Sequence, residues 1–418
     1  MGLSGCAAAR LRTDFAGYEN AYADSSNREM LLNLARLSNH DPTFFFKLGQ
    51  ITTQYKMAAA LGGNGSQVIQ GTTNGTNLTG GGTTNLSFEK DPTFQFIPVN
   101  DDASAQLLLK PIPPELFEAL YQQGWRADQL FRLLVDRIEF FDPTTKSWEV
   151  IRNVPAADNT YDFTRFLRIS ALAYELQRRG LLLLRPTQTF MSLAKGLEFD
   201  KAPEAKDVTD AQAKNNVYQQ NANGKWQIGQ NKVTYQFTLN GVDPNTPATI
   251  TADMPELKAG GDKNGTALAV ILAVLKGGFT IQPAVDAATA GNDENSVAPH
   301  LVMRSMIGVL TAAAQEQDGF DSLLSKNPIV DQQNSFKSLV PLVEQRPLLR
   351  LNWKAEESVL NPLVILNYES RNYSITDITD PKTPEETSWN RDLFRLISEI
   401  AAQVTVDISK FPVPLLLQ

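Results

Sequence analysis

Residues 43–60 and 83–99 alternate apolar and polar side chains over long spans, and a backbone with that period has few conformations open to it. On the first arm Phe45, Ile51, Tyr55, Met57 and Ala59 share one parity, and Gln50, Thr52, Gln54 and Lys56 share the other. On the second arm Leu86, Phe88, Phe94 and Phe96 oppose Asn85, Ser87, Glu89, Asp91 and Gln95. Successive side chains of a strand point to opposite faces, so this period predicts two strands, each with one apolar face. Pro92 and Pro98 mark the second arm as an edge or a bend, because proline has no N–H to give a sheet ladder. The tract between the arms, 62–82, is rich in glycine, asparagine and threonine. Arms and tip together read as one extended β-hairpin.

Two destinations suit such a hairpin. Several copies side by side would build an oligomeric barrel or pore in an outer membrane, since a tilted membrane strand needs about 9–11 alternating residues. Alternatively the hairpin packs on the protein's own core, because half-buried antiparallel sheets alternate in the same way.

Helical periodicity takes over on either side. Ser25, Ser26 and Asn27 offer capping oxygens to a helix carrying Met30 or Leu31, Leu34 and Leu37, which Asp41-Pro42 ends. After Pro111-Ile112-Pro113-Pro114, proline at the first turn starts a helix that Gly124 closes. Further helices are predicted at 127–138, with Leu130, Leu133, Leu134 and Ile138 as its stripe, and at 161–179 before Gly180. Strands are expected at 146–150 and 181–184, and a hairpin from Trp226 to Phe237 closed near 229–232. The last third reads as helices at 266–276, 299–315 and 390–403, with strands at 348–353, 363–368, 373–378 and 404–408. An apolar tail at 412–417 is expected to dock, since free apolar tails invite association.

These readings give an α+β fold class, antiparallel hairpins and small sheets packed with several amphipathic helices. Its segments are a lipobox and tether at 1–26, a helix plus the long hairpin at 27–100 and a mostly helical region at 101–200. A polar and β insertion at 201–265 and a C-terminal α+β domain at 266–418 complete the chain.

Location is read from the only cysteine of 418 residues. Leu3, Ser4, Gly5 and Cys6 resemble a bacterial lipobox, in which the cysteine sulfur carries the lipid, and Ala7–Ala9 continue as a tether. A lipoprotein signal has a basic start and an apolar stretch before this motif, where only Met1-Gly2 stand, so the expectation is a start further upstream or a truncated chain. The alternative is a stray cysteine in a cytosolic protein. No apolar run approaches the roughly 20 residues of a membrane helix, which leaves lipid or β structure as a means of attachment. A net charge of −8 argues against nucleic acid as a partner.

Signals for chemistry are weak. The two histidines, His40 and His300, are far apart, so a multi-histidine metal site is excluded. A triad through His300 lacks a Gly-x-Ser-x-Gly elbow. Asp101-Asp102, Glu356-Glu357 and Glu385-Glu386 are adjacent acids without the fixed separation of glycoside hydrolysis. Gly80–Gly82 and 260–265 lack the pattern of a phosphate loop and read as turns. The tryptophans at 125, 148, 226, 353 and 389 could stack on sugars, but scattered aromatics are more often core. Catalytic residues, cofactors and metals are therefore all expected to be none.

The runs Asn27–Arg36 with Asp41-Pro42, Asp91-Pro92-Thr93-Phe94, Pro111–Glu115 and Arg304–Val309, and the strand pair around Tyr368 and Tyr373, resemble a family of uncharacterised bacterial outer-membrane lipoproteins. The resemblance implies a Gram-negative envelope location and no assigned activity, and residues 201–262 depart from it. The expected function is a non-enzymatic lipoprotein, anchored through Cys6 and self-associating through the hairpin or binding an envelope protein. A periplasmic glycan- or protein-binding module and an enzyme with an unrecognised site are the other two classes.

Overall fold

The computed structural model describes residues 3–61, 84–98, 106, 108–142, 146–156, 158, 160–193, 198–239, 280–282, 299–325, 344–351, 361–378 and 387–405. Two compact units divide the chain, one of residues 1–42 and 106–418 and one of residues 43–105. The expected helix at 266–276, the hairpin tip at 62–82 and the tail at 412–417 lie outside the described residues.

Helix α1 runs Leu3–Ser38 without a break. The capped start expected at Ser25–Asn27 is thus replaced by a helix already under way, and the segment read as a tether is helical from Leu3. No proline interrupts the span and alanine fills its early turns, so Ser25 and Ser26 become interior helical positions. Its last turns enter the core through Met30, Leu31, Leu34 and Ala35, while residues 19–26 are exposed. At its end His40 takes a positive φ of 62°, and the Asp41 N–H closes on the Arg36 carbonyl at 2.8 Å. Asn39 donates to the Tyr373 hydroxyl, and the Tyr368 hydroxyl donates to Asp41, both at 2.7 Å. Those tyrosines belong to the hairpin of β10 (Val364–Tyr368) and β11 (Arg371–Ile375). It turns at Glu369-Ser370, both at positive φ, a two-residue loop, so the second strand begins at Arg371 rather than at the expected residue 373.

The main sheet pairs in the order β4-β3-β9-β8-β7-β5, with β6 on β7. These strands are β3 (Val135–Asp142), β4 (Ser147–Arg152), β5 (Leu182–Ser192), β6 (Val217–Gln220), β7 (Trp226–Leu239), β8 (Thr280–Gln282) and β9 (His300–Met303). All pairs are antiparallel except β8 with β9. The α+β expectation is met, whereas several local readings are corrected.

The helix expected over 127–138 stops early: α3 covers Ala127–Leu134 and β3 follows at once. Its last carbonyls are claimed from outside. Asn153 donates to the Arg132 carbonyl at 2.8 Å, Arg304 donates to those of Arg132 and Leu133, and the Arg304 N–H takes that of Leu134 at 2.7 Å. A helix whose terminal acceptors are satisfied laterally ends there.

The helix expected over 299–315 begins instead as strand β9, whose four residues are all buried, and becomes helix α6 only at Met306–Ser325. The supposed hairpin at 226–237 is the single strand β7, because residues 229–232 pair with residues 189–192 of β5 rather than turning. Pairing with β5 overrides the local turn chemistry of Gly229 and Asn231.

Helix α2 (Pro114–Gln122) starts on proline as expected, and α4 (Thr160–Arg178) ends at Gly180, whose φ of 70° only glycine adopts without strain. α2 and α3 pack on β7 through Phe117, Tyr121, Phe131 and Phe237, whose rings meet mostly edge to face at about 6 Å. Helix α5 (Ala205–Gln212) lies in the polar excursion, and α7 (Trp389–Thr405) buries Leu393, Leu396, Ile397 and Ile400 as its periodicity predicts. α7 also absorbs the start of the strand expected at 404–408.

Residues 348–351, read as the start of a strand, are irregular. Their backbone donors go to side chains instead, Leu348 N–H to Glu316 at 3.0 Å and Leu351 N–H to Gln317 at 2.8 Å.

Candidate functional site

The hairpin is the most distinctive element of the chain. β1 (Phe46–Leu61) and β2 (Thr84–Pro98) pair antiparallel through fourteen Cα partners, from Phe46 opposite Pro98 to Leu61 opposite Thr84. At about 3.4 Å per residue such strands reach roughly 50 Å, well beyond the ~30 Å of a bilayer's hydrocarbon core. Residues opposite one another in an antiparallel pair occupy the same face. Ile51 faces Phe94, Met57 faces Phe88 and Ala59 faces Leu86, so the apolar parities of the two arms coincide, while Tyr55 meets Lys90.

A register shift between Leu48 and Ile51 inserts one residue and reverses the parity beyond it. Leu48, opposite Phe96, therefore continues the face of Ile51. Phe45 precedes the strand. Pro92, opposite Thr53, lies inside β2 without ending it, and Pro98 is its last residue. Among the described residues, β1 and β2 pair with no other strand, so both outer edges of the ribbon carry unpaired backbone groups.

Leu3, Ser4, Gly5 and Cys6 form the first helical residues of α1.

In the other unit the chemistry-bearing residues gather in the interior around α3. Arg132 of α3 is fully buried and donates to Glu344 at 3.0 Å, to Glu316 of α6 at 2.6 Å and to the Arg346 carbonyl at 2.9 Å. Asp128, one turn earlier, is held by both arms of Arg126 at 3.0 and 2.6 Å, with Arg346 at 3.8 Å. The Arg346 guanidinium lies 3.8 Å from the centre of the Trp389 ring, and the Trp389 indole donates to the Leu348 carbonyl.

Burial pushes the Glu344 carboxyl up to about 7, and Asp128 adds to the rise, against the opposing pull of Arg132, Arg346 and Arg126. Arg132 moves the other way in effect: its two carboxylates outweigh its own desolvation and hold it charged. The cluster is closed on all sides, and it serves to fasten α3, α6, α7 and the 344–351 segment to one another. Its one sequence signal was the polar set Asp128, Gln129 and Arg132 inside an apolar helix.

His300 sits on β9, buried, opposite Glu139 and stacked on Trp148 at 5.4 Å. Burial lowers its pKa, and its Nδ1 finds no hydrogen-bond partner among the described residues. No serine and aspartate join it in a triad geometry there. His40 contacts Gln315 at the end of α1. Asp101-Asp102, Glu356-Glu357, Glu385-Glu386, Gly80–Gly82 and 260–265 lie outside the described residues, as does Trp353.

Trp125 and Trp389 are core, whereas Trp148 is exposed and Trp226 is half-buried. Among the described residues no group of three or more histidine, cysteine or acidic side chains could hold a metal ion, and no helix is long and apolar enough to cross a membrane. Compared with known proteins, the sequence matches no family model and no curated protein, and no solved structure matches the chain.

Proposed function

We propose that the protein is a non-enzymatic lipoprotein of the bacterial envelope, anchored through lipid on Cys6, that assembles with copies of itself through the 43–99 hairpin. The carrying observation is the ribbon of β1 and β2, which pairs only with itself among the described residues. A lone two-stranded hairpin is marginal in water, and its free edges are templates for another strand. Edge-to-edge pairing of several ribbons satisfies those backbone groups and gathers the coincident apolar positions into one surface. A closed ring of such ribbons has the length to cross an outer membrane.

The test is the mass of the detergent-solubilised protein by light scattering, with and without residues 62–82 and with the strands 46–61 and 84–98 removed. A multimer that becomes a monomer when the strands are deleted supports the reading. A full-length chain that is monomeric in detergent refutes the assembly. An N-terminal peptide of unmodified mass from envelope-expressed full-length precursor refutes the anchor independently.

A further inference from the structure

The polar excursion between β5 and β7 contains two aromatic residues, Phe199 and Tyr218, and both line one cleft of about 330 Å³ together with Trp226, the first residue of β7. They come from separate places: Phe199 and Trp226 are joined by a backbone bridge, with N–H to carbonyl bonds of 2.9 and 2.8 Å, and Tyr218 stands on β6 beside β7. The rest of the lining is Lys201, Ala202 and Pro203 with Glu204 and Asp207 at the start of α5, so three of its five residues are charged. Phe199 is 39% exposed and the other two rings are half-buried, although Ala211 is the only buried residue of α5. Three rings converging on open space in so polar a segment are poorly explained as a local core.

We infer that this cleft is a binding subsite for a pyranose ring of a glycan. A sugar ring has a C–H face that packs on aromatic faces and an equator of hydroxyls that both donate and accept. The cleft offers both surfaces. Glu204 and Asp207 each hold one backbone N–H in the reciprocal cap of α5, which fixes their positions and leaves further lone pairs for hydroxyl donors. Lys201 lies 3.4 Å from Glu204 and supplies a donor. Two carboxylates against one ammonium disfavour an anion, and the charged rim disfavours a wholly apolar ligand. The volume is at the lower end of the ~300–1,000 Å³ of ligand clefts, enough for a short saccharide segment.

The experiment is calorimetric titration of the whole protein with cellotetraose and with tetra-N-acetylchitotetraose, with sodium phosphate and tetralysine as the contrasting probes. Binding of at least one sugar with a dissociation constant on the order of 1 mM is expected. Trp226→Ala and Tyr218→Ala should each weaken it by roughly 3- to 10-fold, the worth of one ring contact, with Trp226→Phe recovering most of the loss. Unchanged circular dichroism and thermal midpoint in the variants separate lost contact from lost fold. Absence of binding by both sugars, binding of phosphate or tetralysine alone, or sugar binding indifferent to both ring variants overturns the inference. None of these outcomes depends on whether the hairpin assembles.

Discussion

Replacing Arg132 by methionine removes three hydrogen bonds from a site without solvent and leaves Glu316 and Glu344 buried beside each other's fields. Methionine fills much of the same volume, so the loss is electrostatic rather than a cavity. Breaking a buried ion pair by deleting one partner costs about 3–5 kcal/mol. Arg346 also attracts Glu344, which draws the expectation toward about 3 kcal/mol at pH 8.

The deficit has a definite pH sign. Glu344 can escape by protonation, and without the pull of Arg132 its folded-state pKa rises further, so the variant recovers stability as pH falls from 8 toward 5. Urea unfolding followed by tryptophan fluorescence at those two pH values measures it. Converting Glu316 and Glu344 to leucine in the same chain should restore most of the loss, because a buried ionic cluster exchanged for packed apolar side chains is close to neutral. A single variant within about 1 kcal/mol of the parent at pH 8, or one that loses more stability in acid than the parent does, would refute this account of the cluster.

Two more outcomes follow from the same interior. In the parent, Glu344 titrates near 7 when folded and near its ordinary 4.5 when unfolded, so the folded form binds the extra proton and stability declines as pH rises through 4.5 to 7. At about 1.4 kcal/mol for each pH unit the change is about 3 kcal/mol, and Glu344→Gln should flatten that limb of the urea midpoint against pH, whereas an unaltered slope excludes Glu344 as its source. Gly319 of α6 lies against Pro155, where an added Cβ would stand 2.5 Å from the Pro155 carbonyl oxygen. Gly319→Ala should therefore lower the thermal midpoint by the equivalent of about 1–3 kcal/mol, although alanine is the better helix former by about 1 kcal/mol, and a rise in the midpoint would show the contact to be soft.

The sequence by itself determined those features whose cause is local. Pro114 opens α2, Gly124 and Gly180 close α2 and α4 from the left-handed region, and the stripe Leu393, Leu396, Ile397 and Ile400 is enough to specify α7 and its buried side. The two alternating arms likewise specified β1 and β2, since period two needs no partner to be read.

Tertiary structure decided the rest, because the deciding groups are distant in the chain. Whether residues 135–138 continue a helix or begin a strand depends on Asn153 and Arg304 taking the α3 carbonyls and on β4 and β9 lying alongside. Residues 229–232 carry turn chemistry, yet β5 pairs with them and keeps β7 straight. The one-residue bulge that brings Leu48 onto the face of Ile51 is a property of the pairing, invisible in either arm alone. Arg132 and its carboxylates are 184 and 212 residues apart. So are the cleft's rings spread over three segments, and only the fold brings Phe199, Tyr218 and Trp226 to one opening. Periodicity and caps act within a few residues, whereas the satisfaction of buried backbone and charge is a demand of the whole interior.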